Sequence, residues 1–377
     1  MEGKKNILVV DDSALMRRLI SDIITADGRF QVADVAMNGL EAFDFVTRDT
    51  KKYDAILLDI NMPKMNGIQF LEQLEKMKIK QRVIIVSTLA KEGAKETVRC
   101  LELGAFDFVT KPDSFVEARN ESFRKMILKT LGAATGVDIG IPDTTKATGA
   151  KKELTKPSQV AARALYEITA APVKRNQHNE ATNRGAKKLV ALACSTGGPK
   201  ALQSVIPKLP ANLDAAILLV QHMPAGFTKS LAERLNELSA IKVKEASDGD
   251  VLQKGTVYIA QGGSQMRLTK KMGDYVITET VEPARNGLKP CADIMYESLV
   301  GMDFDDITCV VLTGMGGDGT LGIKQLNEKN NIYVIAQNEA TCTVYGMPKV
   351  VAEAGLVDEV VPLEAVAEAI IKNVGVH

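Results

Sequence analysis

Three short loops, far apart in the chain, carry a serine, a histidine and an aspartate. They are Ala193-Cys194-Ser195-Thr196-Gly197-Gly198-Pro199, Gln221-His222-Met223-Pro224 and Thr313-Gly314-Met315-Gly316-Gly317-Asp318-Gly319. Each follows a short apolar run and so falls at a strand end, where α/β enzymes gather their chemistry. A glycine-rich turn after Ser195 would expose its hydroxyl and point backbone N–H groups outward, like a nucleophile elbow. Ala193 stands where the G-x-S-x-G pattern has its first glycine. Of the three histidines, His377 is terminal and His178 lies in a polar stretch, so His222 is the one placed to act as a general base. Asp318 would orient its imidazole.

Residue chemistry alone leaves three other readings open. Ser-Thr-Gly-Gly at a helix start also suits an anion-binding nest. Gly314–Gly319 fits G-x-G-x-x-G between a strand and a helix, and Glu339 stands 20 positions beyond Gly319, which suits a dinucleotide site equally well. Cys194 is either a nucleophile or a small buried residue closing its strand.

A second constellation lies near the N-terminus. Asp11 and Asp12 follow one apolar run, Asp59 another, Ser87 a third and Lys111 a fourth. At one edge of a parallel sheet these side chains converge. Three carboxylates suit a hard octahedral cation such as Mg²⁺. A lysine and a serine hydroxyl suit phosphoryl oxygens, and a carboxylate beside the cation can act as a nucleophile. Asp12 taken alone would serve as a cap for a helix beginning at Ala14.

The elements that must position these residues alternate in type. Strands are expected at Ile7–Val10, Phe30–Ala36, Ala55–Leu58, Val83–Val86 and Phe106–Val109, with helices such as Leu15–Ala26 and Ile68–Met77 between them. A second series runs through Leu189–Ala193, Ala216–Val220, Val257–Ala260, Ile307–Leu312 and Ile332–Ile335, with Tyr275–Glu279 as an edge strand or hairpin. Both series imply doubly wound parallel α/β sheets. Residues 122–187 read as an interdomain linker, with one short helix expected at Gln159–Ile168. Lys plus Arg and Asp plus Glu number 47 each, which excludes bulk attraction to nucleic acid or anionic membrane. The five cysteines form no CxxC, so neither a disulfide framework nor a zinc site is indicated. No apolar run is long enough for a signal peptide or a membrane span, and a cytoplasmic setting without membrane insertion is expected.

Residues 5–121 resemble a response-regulator receiver domain. The resemblance rests on Leu8-Val9-Val10-Asp11-Asp12-Ser13, Leu58-Asp59-Ile60-Asn61-Met62-Pro63, Val86-Ser87 and Val109-Thr110-Lys111-Pro112. It implies a flavodoxin-like sheet and phosphorylation of Asp59 by a histidine kinase. It also implies Mg²⁺ held by Asp11, Asp12, Asp59 and the Asn61 carbonyl. Ser87 and Lys111 would hold the phosphoryl group, with Phe108 at the switch-aromatic position or simply in the core. Residues 188–377 resemble the Rossmann-like catalytic domain of the CheB-type chemotaxis methylesterases. Here the matches are Ser195-Thr196-Gly197-Gly198-Pro199, Gln221-His222-Met223-Pro224-Ala225-Gly226-Phe227-Thr228, Val257-Tyr258-Ile259-Ala260 and Thr313–Gly319.

This second resemblance implies a Ser195, His222, Asp318 triad with an oxyanion site at Thr196 and Met315 and no cofactor in the esterase site. Its substrates would be glutamate methyl esters, and glutamines for deamidation, on methyl-accepting chemotaxis receptors. The unphosphorylated receiver would cover the catalytic face. The chain departs from the family pattern at Ala260-Gln261-Gly262-Gly263-Ser264-Gln265-Met266, where Ala-Pro-Gly-Asp and then His-Met are usual. It departs again at Lys289-Pro290-Cys291-Ala292-Asp293, a variant of Pro-Ser-x-Asp. Both departures are expected to affect the substrate groove and to leave the triad untouched. A receiver coupled to a nucleotide-binding output module is the alternative. A DNA-binding output is disfavoured, because no basic cluster or helix-turn-helix pattern appears.

Overall fold

The computed structural model describes residues 3–88, 91–112, 121–139 and 187–377. The expected helix at Gln159–Ile168 lies outside the described residues. The N-terminal domain runs β1 (Lys5–Val10), α1 (Ala14–Asp27), β2 (Phe30–Ala36), α2 (Gly39–Arg48), β3 (Ala55–Asp59), α3 (Gly67–Lys76), β4 (Val83–Ser87), α4 (Lys91–Glu102), β5 (Asp107–Thr110) and α5 (Glu121–Thr135). Its sheet is parallel in the order β2-β1-β3-β4-β5. The strands β3 and β4 are buried at every position, which is why they read as unbroken apolar runs. Ser13 caps α1 by accepting from the Met16 N–H, which leaves Asp12 free of the capping task.

The linker boundary needs correction. Residues 122–135 belong to α5, and its Phe123, Ile127, Leu128 and Leu131 pack in one apolar cluster with Ile7, Val9, Ile84 and Val86 of the N-terminal sheet. The Gly, Ala and Thr content of its last turns disguised a helix whose large residues stand at helical spacing.

The C-terminal domain runs β6 (Lys188–Cys194), α6 (Gly198–Val205), β7 (Ala216–Gln221), α7 (Phe227–Leu238), β8 (Lys242–Glu245), β9 (Thr256–Ile259), β10 (Gln265–Lys271), β11 (Asp274–Thr280), α8 (Ala292–Ser298), β12 (Asp306–Val311), α9 (Thr320–Asn327), β13 (Ile332–Gln337), α10 (Met347–Glu353), β14 (Glu359–Val361) and α11 (Val366–Val374). Seven of these strands make a parallel sheet in the order β14-β13-β12-β6-β7-β9-β8. The strands β10 and β11 pair antiparallel as a separate hairpin, with Met266 opposite Glu279. From β6 the chain builds one way through β7 and the other way through β12. The sheet's switch point therefore lies between the loops that carry Ser195 and Thr313–Gly319, the crevice position expected of a ligand site.

The two domains meet through α4 and α7. Arg234 Nε donates to Glu102 Oε1 at 2.6 Å, and Lys95 pairs with Glu233 at 3.5 Å. Phe108 of β5 stacks on the fully buried Phe227 of α7, with ring centroids 4.7 Å apart. Phe108 is thus a half-buried interdomain residue rather than an internal core residue of its own domain.

Candidate active site

The loops at the switch point are stitched together by backbone and buried polar side chains. The Ser195 N–H donates to the Thr313 carbonyl at 3.0 Å. The Thr313 hydroxyl donates to the Thr196 carbonyl at 2.9 Å, and Gln221 Nε2 donates to the Ser195 carbonyl at 3.0 Å. Two glycines permit this closeness. Gly197 has φ 78°, and a Cβ there would lie 2.4 Å from the Thr343 side chain. A Cβ on Gly314 would lie 2.9 Å from Ser195 Cβ.

Ser195, His222 and Asp318 converge on one cleft of about 270 Å³. His222 Nε2 donates to Asp318 Oδ2 at 2.7 Å, and both side chains are buried. The other imidazole nitrogen, Nδ1, is buried with no hydrogen-bond partner. Ser195 Oγ makes no hydrogen bond to it in this structure, and such contacts commonly tighten only when substrate binds. The backbone N–H groups of Thr196 and Met315 form no bond within the described residues and border the same cleft.

Asp318 is saturated with donors. Besides His222 it accepts from Cys291 Sγ (3.1 Å), the Ala292 N–H (2.6 Å) and the Asp293 N–H (3.1 Å). Burial works against its charge, but the His222 hydrogen bond and charge, with the Cys291 and Ala292 donors, outweigh it. The carboxyl is held well below the usual range. The Cys291 contact corrects the expectation that the departure at 289–293 leaves the triad untouched. Asp293 is buried and accepts from the N–H groups of Gly319 and Gly322 at 3.0 and 2.8 Å. Burial and the nearby Asp318 charge push its carboxyl up to about 6.

These contacts remove two of the rival readings, the dinucleotide site and the Cys194 nucleophile. In a dinucleotide site the pyrophosphate would lie at the start of α9. The Asp293 carboxylate already occupies that position, and the Asp318 carboxylate faces His222. Cys194 is fully buried, its thiol pointing to Gln221 Oε1 at 3.1 Å, and burial raises it far from the thiolate form. The sequence reading missed Gln221, Thr313, Gln265, Cys291 and Asp293 as supports. Gln221 left a trace, being a polar residue closing an apolar strand directly before His222.

The N-terminal acidic pocket forms as expected at the sheet edge. Carboxylate oxygens of Asp11, Asp12 and Asp59 lie within 4.8 Å of one another. Lys111 Nζ is 2.8 Å from both Asp11 Oδ2 and Asp59 Oδ1. Asp11 Oδ2 is buried, and the Lys111 ammonium is its ion-pair partner. Three carboxylates gathered around one lysine make an oxygen donor set that fits a hard dication. Asp59 Oδ1 also accepts from the Ile60 N–H at 2.8 Å, while its Oδ2 has no partner among the described residues. Burial raises the Asp59 carboxyl and the Asp11 charge adds to this, against the opposing pull of Lys111. Ser87 is buried at the end of the next strand, with its hydroxyl 3.4 Å from the carbonyls of Thr88 and Gly93. The Asn61 side chain donates to Glu96 of α4 at 3.0 Å.

Known proteins match nearly the whole chain in sequence. The CheB methylesterase family model matches residues 190–370, and the response regulator receiver domain model matches residues 7–120. A protein-glutamate methylesterase/protein-glutamine glutaminase of Halalkalibacterium halodurans is 39% identical over 374 residues, 99% of each chain. One from Syntrophomonas wolfei is 38% identical over 98% of this chain and 99% of its own. This chain belongs to the protein-glutamate methylesterase/protein-glutamine glutaminase family. Among solved structures, the CheB methylesterase catalytic domain of Thermotoga maritima is 41% identical and covers 50% of this chain and 98% of its own, with a TM-score of 0.48.

The receiver of this methylesterase faces its own active site. Asp107, Phe108, Thr110, Met126, Lys129 and Thr130 line the cleft that holds Ser195, His222 and Asp318. The Thr196 hydroxyl donates to Asp107 Oδ2 at 2.5 Å, which ties the Ser195 loop directly to β5. Among the described residues no helix is long and apolar enough to cross a membrane.

Proposed function

We propose that this chain hydrolyses glutamate methyl esters, and deamidates glutamines, on chemotaxis receptors, and that a phosphoryl group on Asp59 turns the site on. The observation that carries the catalytic half is His222, gripped by Asp318 through Nε2 with Nδ1 buried and unpartnered beside the Ser195 loop. A buried imidazole nitrogen without a donor is a proton acceptor in waiting. Ser195 Oγ attacks the ester γ-carbonyl carbon as its proton passes to His222 Nδ1. The oxyanion accepts from the Thr196 and Met315 N–H groups. Collapse expels the alkoxide, which takes the proton from His222 and leaves as methanol. Water then attacks the acyl-enzyme with His222 as base, restoring Ser195 and releasing the glutamate. A glutamine follows the same course with ammonia as the leaving group.

Receiver domains generally bind Mg²⁺ for phosphorylation, and here Asp11, Asp12, Asp59 and the Asn61 carbonyl would hold it. The cation, when bound, neutralises phosphoryl oxygens. Asp59 Oδ2, the oxygen without a partner, accepts the phosphoryl group from a histidine kinase. Lys111 Nζ and the Ser87 hydroxyl then bind its oxygens. The switch acts on an interface of individually small terms. Exposed ion pairs such as Lys95–Glu233 contribute about 0.2–1 kcal/mol each, and an aromatic pair such as Phe108–Phe227 about 0.5–1.5 kcal/mol. A change of a few kcal/mol at the receiver face is enough to shift such a balance toward the open state.

The deciding experiment follows methanol release from methylated receptor membranes, with and without a phosphodonor. Ser195→Ala should abolish turnover while the melting temperature stays unchanged. Near-normal release by that variant sinks the catalytic assignment. Removing residues 1–140 should raise basal release, and a fall would mean that the receiver acts by positive contacts.

A further inference from the structure

Asp318 takes three of its four donors from one short stretch, Cys291 to Asp293. That stretch is pinned in turn by a single side chain. Gln265, at the start of β10, is completely buried. Its Oε1 accepts from the Cys291 N–H at 2.8 Å, and its Nε2 donates to the carbonyls of Leu288 and Pro283 at 3.1 and 3.4 Å. A buried carboxamide with both ends engaged has one low-energy orientation. The Cys291 thiol, also buried, has the Asp318 carboxylate as its acceptor, and burial with that neighbouring charge keeps it protonated. A continuous polar chain therefore runs Gln265, Cys291, Asp318, His222 toward Ser195. Gln265 and Cys291 stand 26 residues apart in sequence and touch in space through the Cys291 N–H.

We infer that Gln265 and Cys291 are positioning residues for hydrolysis, acting together through Asp318 to set the orientation and basicity of His222. The inference rests on the triad reading proposed above. A donor on Asp318 draws charge from its carboxylate and lowers its pull on the imidazolium. Loss of the thiol donor returns that charge and tightens the hold on the protonated ring during turnover, so the acid limb of the pH profile moves to higher pH. A hydroxyl in its place is the stronger donor and moves the limb the other way.

The test measures kcat, KM and the pH dependence of kcat/KM for full-length Cys291→Ala, Cys291→Ser and Gln265→Met, with methylated receptor membranes as substrate and Ser195→Ala beside them. Cys291→Ala should lower kcat by about tenfold, as for loss of one hydrogen bond to a charged group. KM should stay within about twofold, since nothing that binds substrate is removed. Cys291→Ser should retain or restore kcat. The acid limbs should fall in the order Ala above Cys above Ser. Gln265→Met should lower kcat as well, and the Cys291→Ala, Gln265→Met pair should cost less than the product of the two single losses, because both act on one carboxylate. An unchanged limb across Ala, Cys and Ser overturns the inference while Ser195→Ala is inactive. Activity in Ser195→Ala overturns the triad reading instead. Should Cys291→Ala fail to fold, the shift between Cys and Ser decides alone.

Discussion

Each domain buries a functional aspartate at the C-terminal edge of a parallel sheet, and the two are provisioned in opposite ways. Asp318 accepts four hydrogen bonds and is held ionised against its burial. Asp59 has one backbone N–H and one lysine, both on Oδ1, and burial raises it. The difference matches the two tasks. A residue that orients an imidazole must not move or take the proton, so its lone pairs are filled. A residue that attacks a phosphoryl group needs a free oxygen and room for a cation, so its surroundings are left short of donors. Neighbouring acids sharpen the contrast. Beside Asp318, Asp293 spends its charge on the N–H groups of Gly319 and Gly322. Beside Asp59, Asp11 shares one lysine ammonium with it, so two carboxylates draw on a single cation.

Asparagine substitutions break this comparison most directly. Every group facing Asp318 is a donor, so the amide of Asp318→Asn must set an NH₂ against N–H or S–H. The imidazole also loses its anionic anchor. Methanol release should fall by on the order of 10³–10⁴-fold, and the variant should unfold about 1–3 kcal/mol more easily. Asp59→Asn should lose phosphorylation and the response to a phosphodonor while its melting temperature in metal-free buffer is retained, because Lys111 keeps Asp11 as a partner. Equal destabilisation of the two variants, measured by thermal unfolding, would erase the contrast. The sign for Asp318 also fixes a pH window. Its pKa is lowered in the fold, so its stabilising contribution is present above the unfolded carboxylate value of about 3.9 and is lost only as pH falls below it. Loss of activity between pH 5 and 7 therefore does not come from protonation of Asp318.

The contact between the domains offers the next test, of smaller size. Thr196 serves both regions, since it lines the cleft where the oxyanion site is proposed and its hydroxyl is bound to Asp107 of the receiver. Thr196→Val keeps the N–H and removes the hydroxyl. Basal methanol release should rise about fivefold, the worth of one hydrogen bond of about 1 kcal/mol, with a matching fall in the activation given by a phosphodonor. An unchanged basal rate would mean that this bond does not hold the resting state.

Much of both sites was legible in the sequence because each key residue ends an apolar strand, and parallel sheets bring such ends together. Ser195, His222 and Asp318 could be named from three loops, and Asp11, Asp12, Asp59, Ser87 and Lys111 from four strand ends. What stayed hidden has a common cause. Gln265 and Cys291 act from a hairpin and a loop whose approach to Asp318 follows no period. A free cysteine as donor to a carboxylate also has no spacing signature. The strand β8 was missed because its Lys242-Val243-Lys244-Glu245 shows little apolar content at a sheet edge, and β14 because it has only three residues. All of α5 after Glu121 reads as linker when composition is weighed above the spacing of Phe123, Ile127 and Leu131.

A third carboxylate extends the comparison to a residue with neither donors nor cation. Glu279 of β11 has both carboxylate oxygens buried without a hydrogen-bond partner. Burial raises it first, and the charges of Glu245, Asp248 and Asp250 add to this, so it is pushed up to about 7 although the Gln261 backbone pulls the other way. A group whose folded pKa lies above its unfolded value of about 4.3 favours the fold most below that value, and the advantage is lost as pH rises through about 7. At pH 8 the ionised Glu279 is therefore a cost. Glu279→Gln should remove it and raise the melting temperature by a few °C, as expected for about 1 kcal/mol in a domain of this size. At pH 4.5 the gain should largely vanish, because folded Glu279 is then protonated and carries no buried charge for the amide to remove. A gain of equal size at both pH values would trace the effect to packing rather than charge. No gain at pH 8 would mean that water or a cation supplies Glu279 with the partner it lacks, which would place it with Asp59 rather than apart from both sites.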